Sequence, residues 1–189
     1  MKHFYFGKLE DIELRPLSFE DLETLRNWRN DKNLTKYLRP IAYITKEMQE
    51  KWFLDYLEDK DIFTFSIFET NELKRLVGSV SIYNFRSSKA EIGKIQIGDS
   101  EAHGRGIGKK ALAVAMKIGF EKMGLSIFDI SINQNNVPSY NNAVAIGFKK
   151  VDTKESDLLG KEDVFEIDYR TLKDANDYID RIVIGTTKC

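Results

Sequence analysis

The residues with the clearest chemical meaning are three alternate glycines, Gly104, Gly106 and Gly108, within the segment 98–109. They lie between a strand-like stretch and a long amphipathic stretch, so we expect a strand-to-helix turn there. Because glycine has no β-carbon, its backbone can turn sharply and approach a ligand closely. Successive N–H groups of such a turn, together with the free N–H groups that begin the helix, suit phosphate or diphosphate.

The glycine spacing alone leaves other interpretations open. A tight strand-to-helix turn without a ligand uses the same residues. A dinucleotide-binding turn is disfavoured, because the G-x-G-x-x-G spacing is not met and an antiparallel region, not a βαβ unit, comes before the segment. A second motif is needed to decide between these interpretations.

Size and composition exclude several classes of protein. The 189 residues suit one domain, and 29 basic against 30 acidic side chains give a formal charge of -1. This balance argues against a general nucleic-acid binder, which needs clustered Lys and Arg. Cys189 is the only cysteine and the histidines are His3 and His103, so we expect no disulfide and no metal. With no signal-peptide pattern and no membrane-length apolar run, we expect a cytoplasmic protein without a membrane partner.

The apolar pattern predicts the elements that position the turn. A strand over 11–17 leads to a helix opening at Ser18, where Asp21 gives a capping-box pattern, and a second helix begins near Thr45. Short gaps predict an antiparallel meander of three strands, over 63–69, 76–83 and 89–97. The remaining predicted elements are a helix over 106–123, a strand over 127–132, a helix over 138–146, and strands over 148–151 and 164–169.

The predicted order is β-α-α-β-β-β-α-β-α-β-β, which places the chain in the α/β (α+β) class. The simplest arrangement is a central mixed, mostly antiparallel sheet of about seven strands with helices on both faces. We expect a single domain over 1–189, with a core over about 11–172 and a C-terminal extension over 173–189. Aliphatic residues over 179–184 predict that the extension packs on a neighbouring subunit, which would make a homodimer.

The second motif follows the strand over 127–132. It reads Asn136-x-x-Ser139 and leads through a short helix to Gly147-Phe148. With Arg105-Gly106-Ile107-Gly108 earlier in the chain, this combination resembles the GNAT acetyltransferases. The resemblance covers nearly the whole chain, 11–172, in the expected order of elements, and it implies acetyl-CoA as cosubstrate without a metal.

The resemblance implies a role for each part of the donor site. The pantetheine arm would lie in a V-shaped gap between the fourth and fifth predicted strands, pairing with Ile95 and Ile97, with Gly98 near the bend. Asn136 and Ser139 would contact the CoA arm, although both also suit the first turn of a helix. The diphosphate would bind the backbone N–H groups of Gly104, Arg105, Gly106, Ile107, Gly108 and Lys109, beside His103, which replaces the Gln or Arg of the family pattern.

The resemblance further implies direct attack of a primary amine on the thioester in a ternary complex. Glu91 matches a glutamate that acts as a base through water in several relatives; a strand carboxylate with a cross-strand partner is the alternative. The tyrosine that many relatives use as the thiolate acid is replaced here by Ala143. Tyr140, one helical turn earlier, is the nearest phenol, and core packing is its alternative role.

The acceptor side would be built by the first two helices. Their segments 25–30 and 44–53 are similar to those of enzymes acetylating nucleotide-linked amino sugars, and also of ribosomal-protein N-terminal acetyltransferases. Arg29 could bind a substrate phosphate with Asn30 beside it, or form a surface ion pair at the helix end. Trp28, Trp52 and Phe53 are expected in the core.

Three functional hypotheses follow from these motifs. The first is a small-molecule N-acetyltransferase, with a nucleotide-linked amino sugar as the leading acceptor. The second is an N-terminal protein acetyltransferase. The third is a non-catalytic acyl-CoA-binding domain, which Ala143 favours.

Overall fold

The structure is a computed structural model, and it describes residues 2–35, 41–156 and 160–186. Across these residues nine strands form one sheet, with the spatial order β7-β8-β6-β5-β4-β3-β2-β1-β9. In chain order the strands are β1 (Tyr5–Leu9), β2 (Ile12–Pro16), β3 (Ile62–Glu69), β4 (Arg75–Arg86), β5 (Lys89–Ile97), β6 (Ile127–Asn133), β7 (Lys149–Ser156), β8 (Gly160–Asp168) and β9 (Val183–Thr186).

Five α-helices within the described ranges accompany the sheet. They are α1 (Leu22–Asn30), α2 (Lys46–Glu58), α3 (Ile107–Lys122), α4 (Val137–Ile146) and α5 (Tyr169–Ala175). The predicted capping box is present, since the Asp21 carboxylate accepts the Ser18 N–H at 3.0 Å, and Thr45, where the second helix was expected to begin, accepts the Met48 N–H with its Oγ1 at 3.3 Å. Each bond gives a partner to a backbone N–H group that would otherwise lack one at the start of a helix.

The sheet is mixed and mostly antiparallel, as predicted. Among the described strands only β5 and β6 pair in parallel. The α+β class is therefore confirmed, but the strand count of seven is wrong because β1 and β9 were not predicted. In β1, Gly7 interrupts a short aromatic run; a β-carbon there would lie 2.4 Å from Val114 Cγ1, so the glycine allows α3 to pack closely.

Alternation along β3 shows how helices cover both faces of the sheet. Phe65 and Ile67 are fully buried in the main core, which also contains most of α3. On the opposite face, the Ser66 hydroxyl donates to the Asp21 carboxylate before α1, and the Tyr56 hydroxyl of α2 bonds to the Thr64 backbone. Helices α1 and α2 thus cover one face of this part of the sheet and α3 the other.

Most of the C-terminal extension packs on its own chain, whereas Val183 is exposed, and the predicted homodimer stays a prediction. Ile179 and Ile182 are buried in the main core, and β9 pairs with β1. The Lys117 ammonium, itself buried, donates to the Ile179 carbonyl at 2.9 Å. Within the described residues, no helix is long and apolar enough to cross a membrane.

Candidate active site

Strands β5 and β6 run side by side for a short distance and then separate. Their parallel pairing covers three positions and ends at Glu91 and Asp129, although β5 continues to Ile97 and β6 to Asn133. A cleft of about 200 Å³ lies beyond this point, lined by Ile95, Ile97, Gly108, Leu112, Ile130, Pro138, Ser139 and Asn142. The V-shaped gap predicted between these two strands is present.

A β-bulge turns β5 beside this cleft. Gly93 pairs with Ser81 and Gln96 with Ser79, so Lys94 and Ile95 together stand opposite a single residue of β4. Lys94 has a φ of 48°, a left-handed conformation that is uncommon outside glycine. The prediction that the bend lies at Gly98 is wrong, because Gly98 follows the strand.

The glycine turn presents open backbone beside the cleft. Gly104 and Gly106 have φ values of 74° and 72°, and the space beside both Cα atoms is open. Gly106 comes directly before α3, and no described side chain caps that helix start. The N–H groups of Ile107, Gly108 and Lys109 therefore lack the partners that a cap would supply. This arrangement suits an anion.

Two ion-pair groups connect the glycine turn to the β3–β4 hairpin. The Arg105 guanidinium lies 3.1 Å from the Glu72 carboxylate and 3.8 Å from that of Glu69. In the second ion pair the cation is on the hairpin: the guanidinium of Arg75, at the start of β4, lies 2.6 Å from the Asp99 carboxylate. Ion pairs at Asp99 and at Arg105 therefore attach the segment before the turn and the turn itself to the β3–β4 hairpin.

Glu69 is fully buried and organises the hairpin itself. Its carboxylate accepts backbone N–H groups from the following turn, residues 71–74. Burial opposes ionisation of Glu69, but the hydrogen bonds from Leu73, Glu72 and their neighbours outweigh it and lower its pKa. The carboxylate is thus kept ionised where it faces Arg105.

His103 and Lys109 both have local partners. The His103 ring nitrogen Nε2 lies 2.9 Å from the Ile97 carbonyl, which ties the turn to the end of β5. The Lys109 ammonium lies 5.6 Å from the centre of the Tyr178 ring, in the C-terminal extension. The backbone, not these side chains, is what the turn offers to a ligand.

Helix α4 contributes the far wall of the cleft. Asn136 caps the helix, its Oδ1 accepting the Ser139 N–H at 3.3 Å, so the capping role considered in the sequence analysis is realised. Ser139 lines the cleft. Tyr140 is 39% exposed, and its ring lies edge-on to Phe165 at 5.4 Å between centroids; Ala143 is fully buried.

Glu91 lies at the point where the two strands separate. Its two carboxylate oxygens accept hydrogen bonds from the Tyr83 hydroxyl at 2.6 Å and from the Asn84 side-chain amide at 2.9 Å. Asp129, its partner across the parallel pair, is bound by the Arg86 guanidinium at 2.8 Å. Glu91 therefore carries a half-buried charge held by neutral donors, while Asp129 is matched by a cation.

Comparison with known proteins decides the family. The family model described as an acetyltransferase (GNAT) domain matches residues 11–149 of this chain. The chain belongs to the GNAT acetyltransferase family. It is accordingly an acyltransferase, and the non-catalytic alternative is not supported.

This GNAT acetyltransferase is similar to curated proteins named for N-acetyltransferase 9. It is 30% identical over 143 residues to an N-acetyltransferase 9-like protein of Caenorhabditis briggsae, covering 69% of this chain and 70% of that protein. It is 24% identical over 151 residues to the alpha/beta-tubulin-N-acetyltransferase 9 of Mus musculus, covering 74% and 62%. The likeness to a Nematostella vectensis N-acetyltransferase 9-like protein is 27% over 119 residues, 58% of each. The chain thus spans less than two thirds of the mouse and Nematostella proteins.

Solved GNAT structures share the fold. A spermidine N-acetyltransferase from Vibrio cholerae in complex with CoA and spermine has a TM-score of 0.76 and 18% identity, covering 86% of this chain and 98% of that one. RimJ from Mycobacterium smegmatis in complex with CoA-disulfide has a TM-score of 0.72 and 16% identity, covering 90% of each. At these identities the likeness describes architecture only.

On the acceptor side of this GNAT acetyltransferase, Asn30 is already engaged. Its side-chain amide donates to the Ile44 carbonyl at 2.9 Å and accepts the Ile44 N–H at 2.8 Å, which fixes the segment before α2 to α1. Arg29 is half-buried, and burial lowers its pKa. Phe53 is in the core as expected, but Trp28 is only half-buried and Trp52 is 41% exposed, stacked on Tyr56.

Several residues of the site were not found by sequence reasoning. Asn142 and Leu112 line the cleft. Their spacing predicts only that they lie on helices, and neither residue type in that pattern indicates a ligand. Tyr83 and Asn84 reach Glu91 from β4. Their position directly before a turn, on the strand next to the Glu91 strand, was the signal that could have identified them.

Proposed function

We propose that this enzyme transfers the acetyl group of acetyl-CoA to a primary amine, with the donor held by the glycine turn and the cleft. The observation that carries this proposal is the separation of β5 and β6 beyond Glu91, which leaves a cleft bordered by Gly108. The diphosphate would bind the N–H groups from Gly104 to Lys109, and pantetheine would run along Ile95 and Ile97. Ser139 lines the cleft where pantetheine would bind. Asn136 holds Ser139 in place, because it caps the start of α4.

Glu91 is the proposed base. An aliphatic ammonium gives a proton to the Glu91 carboxylate, directly or through water, and the freed nitrogen lone pair attacks the thioester carbonyl carbon. A C–N bond forms, the C–S bond breaks, and the electron pair leaves with sulfur as the CoA thiolate, while the attacking nitrogen releases its second proton to water. Holding both substrates in line supplies much of the remaining acceleration.

The group that protonates the thiolate is a separate part of the proposal. Tyr140 is the candidate phenol, but its ring packs edge-on against Phe165 and the cleft is lined by its neighbours Ser139 and Asn142. A Tyr140→Phe variant that loses most of kcat would support the phenol as the acid. A variant with the wild-type rate would leave water and backbone N–H groups to assist the leaving thiolate.

The charges around Glu91 favour a cationic acceptor over a nucleotide-linked sugar. Glu162 lies on the same sheet face, because it pairs with Asn133, which alternates in step with Asp129. Within the described residues, neither Glu91 nor Glu162 lies within ion-pair distance of a Lys or Arg. These two carboxylates would attract an ammonium, with Lys94 facing Glu91 and Lys154 standing opposite Glu162 as the nearest cations.

The N-terminus of a protein is the second candidate acceptor. The observation that favours a protein acceptor is the similarity to the mouse protein named as an alpha/beta-tubulin-N-acetyltransferase. An α-amino group has a pKa near 7.7–8.0, about two units below that of an aliphatic side-chain amine, so it needs a weaker base. A small polyamine, which is also cationic, is the alternative acceptor.

One experiment tests the donor and the base together. Acetyl-CoA should raise the melting temperature of the protein by mass action, and acetylation should then be measured with spermidine, with N-terminal peptides of α- and β-tubulin, and with a nucleotide-linked amino sugar. Glu91→Gln should abolish most turnover while keeping the thermal shift. Glu13→Gln, which changes a carboxylate on β2, three strands away from Glu91, is the matched control. Wild-type turnover in Glu91→Gln would remove this residue from the mechanism.

A further inference from the structure

Tyr83 and Glu91 form a cross-strand pair at the base of the cleft. They stand directly opposite each other in the β4–β5 register, and the Tyr83 hydroxyl donates to Glu91 Oε1 at 2.6 Å. Burial, together with the Glu91 charge, raises the pKa of Tyr83 far above its ordinary value. The phenol therefore keeps its proton and acts as a fixed donor.

The second donor reaches Glu91 through a local irregularity of β4. Successive side chains of a regular strand point to opposite faces, yet Asn84 and Tyr83 both bond to Glu91. The register shifts between Tyr83 and Arg86, and Asn84 has a φ of 52°. Bulges of this kind re-aim side chains beside active sites. Asp61 stabilises the bulge, since its carboxylate accepts the Phe85 N–H at 2.8 Å.

The tyrosine ring is confined from the side of β5 as well. A β-carbon at Gly93 would lie 2.9 Å from the Tyr83 hydroxyl oxygen, so that position must be glycine for the hydroxyl to lie where it does. The Lys94 ammonium lies 4.4 Å from the centre of the Tyr83 ring. Gly93 and Lys94 of β5 thus fix the position of the Tyr83 ring next to the cleft.

Each carboxylate oxygen has two lone-pair positions, so a single hydrogen bond to each leaves both able to accept a proton. The charged groups that face this centre are Asp129 with its partners Arg86 and Lys89, Glu162, Lys94 and, beyond it, Asp59. Neutral donors hold Glu91 without neutralising its charge. An Arg or Lys in their place would stabilise the carboxylate and weaken it as a base.

We propose that Tyr83 and Asn84 are positioning residues for Glu91, which hold its carboxylate in one orientation at the point where β5 and β6 separate. The inference rests on the proposed role of Glu91 as the base. It adds that the orientation of this base depends on two specific donors from β4.

The test compares Tyr83→Phe and Asn84→Ala with Tyr56→Phe. Tyr56 is the matched control, since it is a buried tyrosine on the same sheet face whose hydroxyl bonds only to the Thr64 backbone among the described residues. We expect Tyr83→Phe to lower kcat about tenfold with little change in KM, because the loss falls on proton transfer. The pH profile of kcat/KM should also differ from that of the wild type, because Tyr83 no longer donates to Glu91. Tyr56→Phe should lower the melting temperature and leave kcat and the pH profile unchanged.

A double-mutant cycle separates this inference from the proposed function. In a Glu91→Gln background, Tyr83→Phe should cause no further loss of kcat, since it acts only through Glu91. Additive losses, or a Tyr83→Phe variant with wild-type kcat and pH profile, would overturn the positioning role while leaving Glu91 as the base. Wild-type turnover in Glu91→Gln alone would remove both.

Discussion

The indole ring of Trp28 lies against the backbone of Gly98, so closely that a β-carbon on Gly98 would be 1.9 Å from Cδ2 of the ring. The Gln96 side-chain amide donates to the Trp28 carbonyl at 3.2 Å, which adds a polar contact to the same junction. Helix α1, on the acceptor side, is therefore attached to the segment that leads from β5 into the glycine turn. The tryptophan of the first helix connects the two halves of the proposed ternary complex.

A Gly98→Ala substitution should displace Trp28 and lower stability. Overpacking of this kind costs about 1–3 kcal/mol, which corresponds to a drop of several degrees in the melting temperature. Gly108→Ala is the stability control, because its β-carbon would lie 3.7 Å from the nearest side-chain atom, in ordinary contact. An equal loss of melting temperature in both variants would contradict the Trp28 contact as the cause.

Gly106→Ala should weaken acetyl-CoA binding more than its effect on folding explains. Forcing a β-carbon into the left-handed region costs about 1–2 kcal/mol, and relaxation of the strain would turn N–H groups away from the diphosphate. Gly124→Ala has the same strain, with φ of 70° and open space, at the other end of α3. We expect both variants to lose melting temperature, but only Gly106→Ala to lose the thermal shift given by acetyl-CoA. Equal shifts would argue against the glycine turn as the donor site.

Glu69→Gln should destabilise the protein in a pH-dependent way. The pKa of Glu69 is lowered in the folded state from its ordinary 4.5, so its contribution is present above pH 4.5 and is lost as the pH falls through the lower folded value. The difference in unfolding free energy between wild type and variant should therefore be largest near neutrality and narrow on acidification below pH 4.5. Glu72→Gln, which removes only the exposed partner of Arg105, should show a smaller effect. A pH-independent difference would contradict the ionised state of Glu69.

Replacement of His3 should change the acid side of the stability profile. Burial lowers the pKa of His3 from 6.5 to about 4, and the nearby Lys2 adds to the effect. A folded pKa below the unfolded one means that His3 stabilises the protein fully above pH 6.5 and loses this contribution as the pH falls toward 4. The loss is at most about 3 kcal/mol. Denaturant unfolding between pH 7 and 4 should show a steep decline for wild type and a shallower one for His3→Gln, while parallel profiles would show that another group titrates.

The prediction of the fold succeeded where one feature of the sequence had one structural meaning. Ser18, Thr45 and Gly147 marked helix ends that depend on local hydrogen bonding or on a positive φ, and the structure places helix ends at these residues. β1 and β9 were missed because a short strand gains its stability from its neighbours, and these two have most of their contacts far away in sequence. The bulge at Lys94 could not be predicted for a similar reason, since lysine gives no local signal for a left-handed conformation.

The candidate site divides along the same line. Ile95, Ile97, Gly108 and Ser139 line one cleft, because backbone shape and the order of elements bring them together, and their roles toward acetyl-CoA stay predictions. Tyr83 and Asn84 lie before a turn on the strand next to Glu91, but only the register shift after Tyr83, which no local pattern announces, lets both side chains reach Glu91. Asn30 has a structural partner that the sequence did not indicate: its amide bonds to the backbone of Ile44, and its contact with a substrate stays a prediction.

The pairing of β9 with β1 has a practical consequence for anyone who trims this protein. A shortened version limited to residues 11–149 would lack β1, β8, β9 and nearly all of β7, so β2 and β6 would both become bare edges able to recruit strands from other molecules. The main core, which contains most of α3, would also lose the side chains of Ile179 and Ile182. Aggregation of such a fragment would report the missing border of the sheet, and it would say nothing about the chemistry of the enzyme.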